Sequence, residues 1–385
     1  MVKLGDILSI IRGVTFKPND QVEPLSEGST IVMRTKNVQR SGLDTSDLIA
    51  IPDSFIKRDE QYLRSEDMLI SSANSWELVG KISFIDKLPA KSTAGGFISI
   101  IRAKKEKVIP KYLYYWLTLE HTQVKIRNCG QKTTNISNLN LERFKELFIP
   151  LPSLNDQRRI VAILDKAANI RQKREQAIKL SDDFLRATFA TMYGNPITNP
   201  KKWPVHLMGE IIEFKGGNQP PKSDFIFEPK QGYIRLVQIR DFKSDKYATY
   251  IPQEKAKRIF EVDDVMIARY GPPVFQILRG LSGSYNVALM KASPKENIRK
   301  GFIFYLLQLP EYHDVVVKNS ERTAGQTGVN LELLNKFNVP LPPIYYQDEI
   351  LARLTRIEKF KEKIEISLNH LEIQFLSLQK RLIGF

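Results

Sequence analysis

Twice along the chain, apolar residues settle into a stripe that advances by alternate steps of four and three. The later stripe runs Ile350, Leu354, Ile357, Lys361, Ile364, Leu368, Leu371, Phe375, Leu378 and Leu382, with one polar member. The earlier one, displaced by 190 residues, runs Ile160, Leu164, Ala167, Arg171, Arg174, Ile178, Ser181, Leu185, Thr188 and Met192. A heptad period held over several turns predicts a helix with a seam for a partner helix. The same signal precedes both: Pro150-Leu151-Pro152 with Gln157, and Pro340-Leu341-Pro342 with Gln347. Proline ends the element before it, and the helix starts beyond. Arg171 and Lys361 occupy matching slots, which points to one design used twice and to two helices that pack on each other.

Connectivity predicts how they pack. The first helix begins where one globular segment ends and stops where the next begins; the second begins at the far end of that second segment and must run back. The expected pair is antiparallel, with a domain at each end and an approximate two-fold axis between them. About 37 helical residues at ~1.5 Å each make a rod of roughly 55 Å. The competing account is two unrelated amphipathic helices, each covering its own domain.

The remaining pattern is mostly that of strands and turns. In residues 1–149, Leu4-Gly5-Asp6-Ile7-Leu8 opens the segment, and residues 30–34, 67–71, 80–85 and 96–101 read as short strands. Pro110 starts a helix over 111–119, and the spacing of Tyr112, Tyr114, Tyr115 and Trp116 predicts core packing rather than base stacking. A polar loop is expected over 127–138. Residues 195–339 repeat this order with a drifting offset: Met208 to Ile212 answers Leu4 to Leu8, Arg235 with Gln238 answers Arg34 with Asn37, 263–267 answers 66–70, and 301–307 answers 111–117. The expected organisation is therefore four segments, 1–149, 150–194, 195–339 and 340–385, in an α/β (α+β) chain with an internal pseudo-two-fold repeat. The two frames agree while their loops differ, as expected of two sites of one kind that read different targets.

Charge narrows the partners. Lys and Arg number 58 against 43 acidic residues, a net charge of +15, which favours a polyanion such as nucleic acid. One cysteine, Cys129, excludes an internal disulfide, and His121, His206, His313 and His370 have no ligand spacing, so neither metal nor cofactor is expected. No stretch approaches a membrane span and the start lacks a signal-peptide core, so the expected location is the cytoplasm.

Chemistry of its own is not legible. An adenine methyltransferase needs an Asn/Asp-Pro-Pro-aromatic motif and a Gly-rich loop for its methyl donor. The nearest strings, Gly271-Pro272-Pro273-Val274 and Phe214-Lys215-Gly216-Gly217, lack the key groups and read as turns. Asp224, Glu228 and Lys230, the nearest approach to a nuclease cluster, have no counterpart in the first copy. No catalytic residue is expected. Binding is better served, since base edges are read by forked donors and amides while Lys, Ser and Thr hold phosphates. The first copy offers Arg34, Lys36, Asn37, Ser72, Asn74, Lys132 and Thr133; the second offers Arg235, Gln238, Arg240, Lys243, Arg269, Tyr270, Arg322 and Gln326. For any one of them the competing account is a solvated loop or a cap.

With these features assembled, the chain resembles the specificity (S) subunits of type I restriction-modification systems. The resemblance rests on the alternation of variable and repeated regions, the Pro-Leu-Pro-x4-Gln motif at 150 and 340, and the openings Leu4-Gly5-Asp6 and Met208-Gly209-Glu210. It spans essentially the whole chain, with one departure: Trp203-Pro204 precedes the second opening only. It implies two target-recognition domains, separated by the helix pair, that bind the halves of an interrupted double-stranded DNA site. It also implies two methyltransferase (M) subunits, and restriction (R) subunits, assembled around a non-catalytic chain. The alternative from another class is a coiled-coil adaptor tethering two protein-binding modules.

Overall fold

The computed structural model describes residues 1–40, 42–131, 136–271, 273–320 and 328–384. They form two compact units, Met1–Arg174 with Ile366–Phe385, and Glu175–Glu365. Each unit holds one globular segment and half of each long helix, Leu154–Tyr193 and Ile344–Ile383.

In the first unit a four-stranded antiparallel sheet runs in the order Leu8–Arg12, Ile98–Ala103, Met68–Ser71, Ile82–Phe84. A second sheet orders Ser92–Ala94, Ser29–Met33 and Ile49–Pro52, its first pair parallel and its second antiparallel. The strand Met68–Ser71 is buried at every position because its two faces serve two cores. Met68 and Ile70 join the cluster under helix Pro110–Leu117, while Leu69 joins Ile31 and Met33 of the second sheet. Alternation of side chains along a strand makes this division unavoidable. The second unit repeats it: Val265 and Ile267 face helix Lys300–Leu306, and Met266 and Ala268 face Val237 and Tyr285.

The paired proline motifs acquire a role in these cores. Gln157 is fully buried, its Oε1 accepting from the Ile109 N–H at 2.8 Å and its Nε2 donating to Pro152 O at 2.9 Å. Gln347, equally buried, accepts from the Arg299 N–H at 2.9 Å and donates to Pro342 O at 2.9 Å and Asn297 O at 2.8 Å. Ile109 and Arg299 are the residues just before the aromatic helices, where a backbone N–H has no acceptor within the helix. Each glutamine thus ties the start of a long helix to the start of an aromatic helix 48 residues earlier. Tyr112, Tyr115 and Trp116 are core residues as their spacing predicts.

Within each unit the two long helices pack together. In the second, Tyr346 Oη donates to Met192 O at 3.1 Å and Lys361 Nζ pairs with Asp182 at 2.6 Å, which is the antiparallel sense. In the first, the Arg171 guanidinium lies 5.2 Å from the Phe375 ring. The matched basic residues thus both reach the other helix. Every stripe position is buried or half-buried except Arg174, whose charged head turns to water instead of lying in the seam.

Three expectations need correction. The stretch 127–138 is not one polar loop: helix Glu120–Asn128 runs into it, and strands Gly130–Gln131 and Ser137–Leu139 pair antiparallel. Phe214-Lys215-Gly216 is not a turn but lies on strand Ile212–Gly216, joined to Leu289–Pro294. The repeat also aligns differently after the second strand. Asn37 Oδ1 accepts from Arg34 N at 2.8 Å, and the same turn recurs where Asp241 accepts from Gln238 N at 2.9 Å. The partner of Arg34 is therefore Gln238 and that of Asn37 is Asp241, not Arg235 and Gln238. The offset is 204 between Leu4 and Met208, 197 between Asp67 and Asp264, and 190 between Ile109 and Arg299, each pair making the same backbone or turn bond. The offset passes through 200 between Pro52 and Pro252 and 191 between Lys104 and Lys295, and every length change falls between elements, where a loop alters without disturbing the ladder.

Candidate nucleic-acid interface

Each unit gathers separated segments onto one rim. In the first, Met33 O accepts from Gly95 N at 2.9 Å, which sets Arg34 beside the turn at 95–97. Phe97 O accepts from Ser72 N at 2.9 Å and Ala73 N at 3.3 Å, Ser72 O accepts from Leu139 N at 2.8 Å, and Asn74 pairs with Ser137. In the second, Val237 O accepts from Asn286 N at 3.2 Å, Ala288 O from Arg269 N at 2.8 Å, and Arg269 O from Val329 N at 3.1 Å, while Tyr270 bridges Gly328. The same bonds recur, so Arg34 corresponds to Gln238, Lys36 to Arg240, Ser72 to Arg269, Ala73 to Tyr270 and Phe97 to Ala288. Gly13 and Gly217 brace the two turns. A Cβ on either would overlap the carbonyl of Gly95 or Asn286, so a side chain is excluded there.

The sequence candidates divide into available and committed groups. Arg34 Nη2 reaches Asp47 at 3.1 Å, and Lys36 pairs with the same exposed carboxylate. Such exposed pairs are worth ~0–1 kcal/mol, so a phosphate can replace the carboxylate at little cost. Asn37 is only 1% exposed; its Nδ2 donates to Asp44 O at 2.8 Å and Asp47 O at 3.0 Å, so its amide is spent on the turn. Asn74 is engaged locally with Ser71 Oγ and Ser75 N, and Ser72 is half-buried. Lys132, Thr133, Arg322 and Gln326 lie outside the described residues.

In the second unit Arg240 is exposed, donates to Tyr247 O at 3.3 Å and lies over the Tyr247 ring. Lys243 is exposed beside it, and Gln238 is half-buried with its amide 3.5 Å from Thr249 Oγ1. Arg269 stacks on Tyr270 at 5.0 Å. Arg235 stands apart from the rim, inside strand Tyr233–Val237, and pairs with Asp245 at 2.7 Å. Burial pushes the Asp241 carboxyl above its ordinary range, against the pull of the Gln238 N–H, Arg235 and Arg240. The Nε atoms of Arg34 and Arg269 are buried and find no acceptor among the described residues.

Phe97 was missed in sequence because it reads as the edge of a strand; the strand begins at Ile98, and the preceding Gly95-Gly96 was the available signal. No helix among the described residues is long and apolar enough to cross a membrane.

Comparison with known proteins agrees with this architecture. The family model described as the type I restriction modification DNA specificity domain matches residues 1–180 and 200–371. The chain is 23% identical to the type I restriction enzyme StySPI specificity subunit of Salmonella potsdam, over 99% of this chain and 86% of that one. It is also 23% identical to the EcoKI specificity subunit of Escherichia coli, over 95% and 83%. Its fold resembles the crystal structure of a type I S subunit from M. genitalium, with a TM-score of 0.55 at 15% identity, covering 99% of this chain and 95% of the other.

Proposed function

The chain belongs to the type I restriction-modification DNA specificity family, and from that premise we propose that its two rims each read one half of an interrupted double-stranded DNA target. Its role is recognition without catalysis. Methylation and cleavage fall to methyltransferase subunits, two per chain, and to restriction subunits assembled on it in the cytoplasm. Residues 1–149 and 195–339 are the target-recognition domains in this reading, and 150–194 and 340–385 the spacer helices.

The observation that carries the proposal is the recurrence of one hydrogen-bonded rim with different side chains in the two units. A repeated frame with exchanged surface groups suits two readings of one kind of ligand, and a net charge of +15 suits a polyanion. Arg34, Lys36, Ser72 and Asn74 in the first domain, and Gln238, Arg240, Lys243, Arg269 and Tyr270 in the second, are assigned to DNA, and so are Lys132, Thr133, Arg322 and Gln326. Asn37 and Arg235 are assigned to holding the turn and strand that present the others.

Selection of duplexes from a random pool by the full chain is expected to return two fixed half-sites around an unspecified gap. Affinity is expected to fall about a thousandfold between ~50 and ~200 mM salt, as for six or more phosphate contacts. Weak, sequence-independent binding with little salt dependence would instead favour the adaptor reading.

A further inference from the structure

We propose that Phe97 makes an apolar contact with a thymine methyl in the half-site read by the first unit. The inference rests on the DNA-reading function above and names one specificity contact within it. Phe97 is 60% exposed, yet its backbone is held from three sides. Its carbonyl accepts from Ser72 N and Ala73 N, Gly95 is joined to Met33, and Gly13 packs against the Gly95 carbonyl. A ring kept in water on so rigid a seat contributes little to the core, and its neighbours Ser72, Ala73 and Asn74 are small enough to let it approach a groove.

The groove walls of an intact duplex are polar, and their one apolar feature is the thymine methyl in the major groove. Wedging the ring between base steps would require unstacking at a cost of a few kcal/mol. The methyl contact needs no distortion. In the second unit Ala288 holds the position of Phe97, and the aromatic group comes from Tyr270 beneath Arg269. The apolar contact is accordingly expected in one half-site only.

The test uses the full chain and the duplex that it selects, with deoxyuridine replacing each thymine of the first half-site in turn. One replacement is expected to weaken native binding about fourfold, the worth of one buried methyl. Phe97→Ala should bind about fourfold more weakly, lose that single deoxyuridine penalty, and keep the native melting temperature because the ring is mostly in water. Phe97→Leu should retain part of the penalty. Equal sensitivity to deoxyuridine in native and Phe97→Ala chains, or a selected half-site without thymine, overturns the inference while leaving the DNA-reading function standing. A native chain that selects no sequence overturns both.

Discussion

The turn that follows the second-sheet strand is built alike in the two units, but with an amide in one and a carboxylate in the other. Asn37 caps Arg34 N and donates both its hydrogens to carbonyls of the loop beyond. Asp241 caps Gln238 N, has no hydrogens to give, and faces Arg235 and Arg240. The bond that defines the turn is preserved, and everything outside it is free to differ. The buried glutamines Gln157 and Gln347 and the helix caps Asn140 and Asn330 are, by contrast, the same residue in both units. Where an amide side chain closes the end of a helix its identity is kept, and where a side chain closes the rim turn only its anchoring oxygen is.

The largest effects should come from the kept residues. Gln157→Ala leaves a buried N–H and one carbonyl without this partner, Gln347→Ala an N–H and two carbonyls, and each opens a cavity, at a cost of about 4 kcal/mol. Hydrogen exchange followed by mass spectrometry should show lost protection in helix Pro110–Leu117 for the first and Lys300–Leu306 for the second. A uniform loss across both units would break the view that each glutamine serves its own core.

The turn pair is predicted to be asymmetric. Asn37→Asp sets a buried carboxylate against two carbonyl oxygens and should cost about 3 kcal/mol at neutral pH. Asp241→Asn keeps the cap and should change stability by less than about 1 kcal/mol. The pH dependence has a definite sign. Burial raises the folded pKa of Asp241, so its contribution is fully present at low pH and is lost as pH climbs through the ordinary carboxylate range to the raised value. The amide variant should lack this decline, and denaturant titrations from about pH 3 to about pH 7 would show two parallel curves if Asp241 did not titrate in this way.

The smallest effects belong to the exposed cations. Lys36→Ala and Lys243→Ala should each weaken DNA binding uniformly across sequences and reduce the slope of log affinity against log salt by about 1, with no change in the selected half-sites. A changed half-site would assign that lysine to a base instead of a phosphate.

Much of this molecule was legible before folding. The two long helices, the succession of short strands and the aromatic helix follow from local period and proline placement, since a 3.6-residue or two-residue repeat is written in consecutive side chains. The division of Met68–Ser71 between two cores was not legible, because Met68, Leu69 and Ile70 are all apolar and show no alternation in sequence. Helix Glu120–Asn128 was not legible, because only Thr122 and Ile126 are buried on it and its mostly polar surface resembles a loop.

By itself the sequence determined that the chain is a repeat of strand-rich domains and seam-bearing helices, because those properties depend on near neighbours. Only the tertiary structure decided the register of the repeat and the membership of the rim. Arg34 matches Gln238 because of a turn bond; Ser72 meets Phe97 and Leu139 across strands; Gln157 caps a helix that starts 48 residues away. Contacts of that kind depend on which backbone groups remain unpaired once the sheets have formed, and no local period records it.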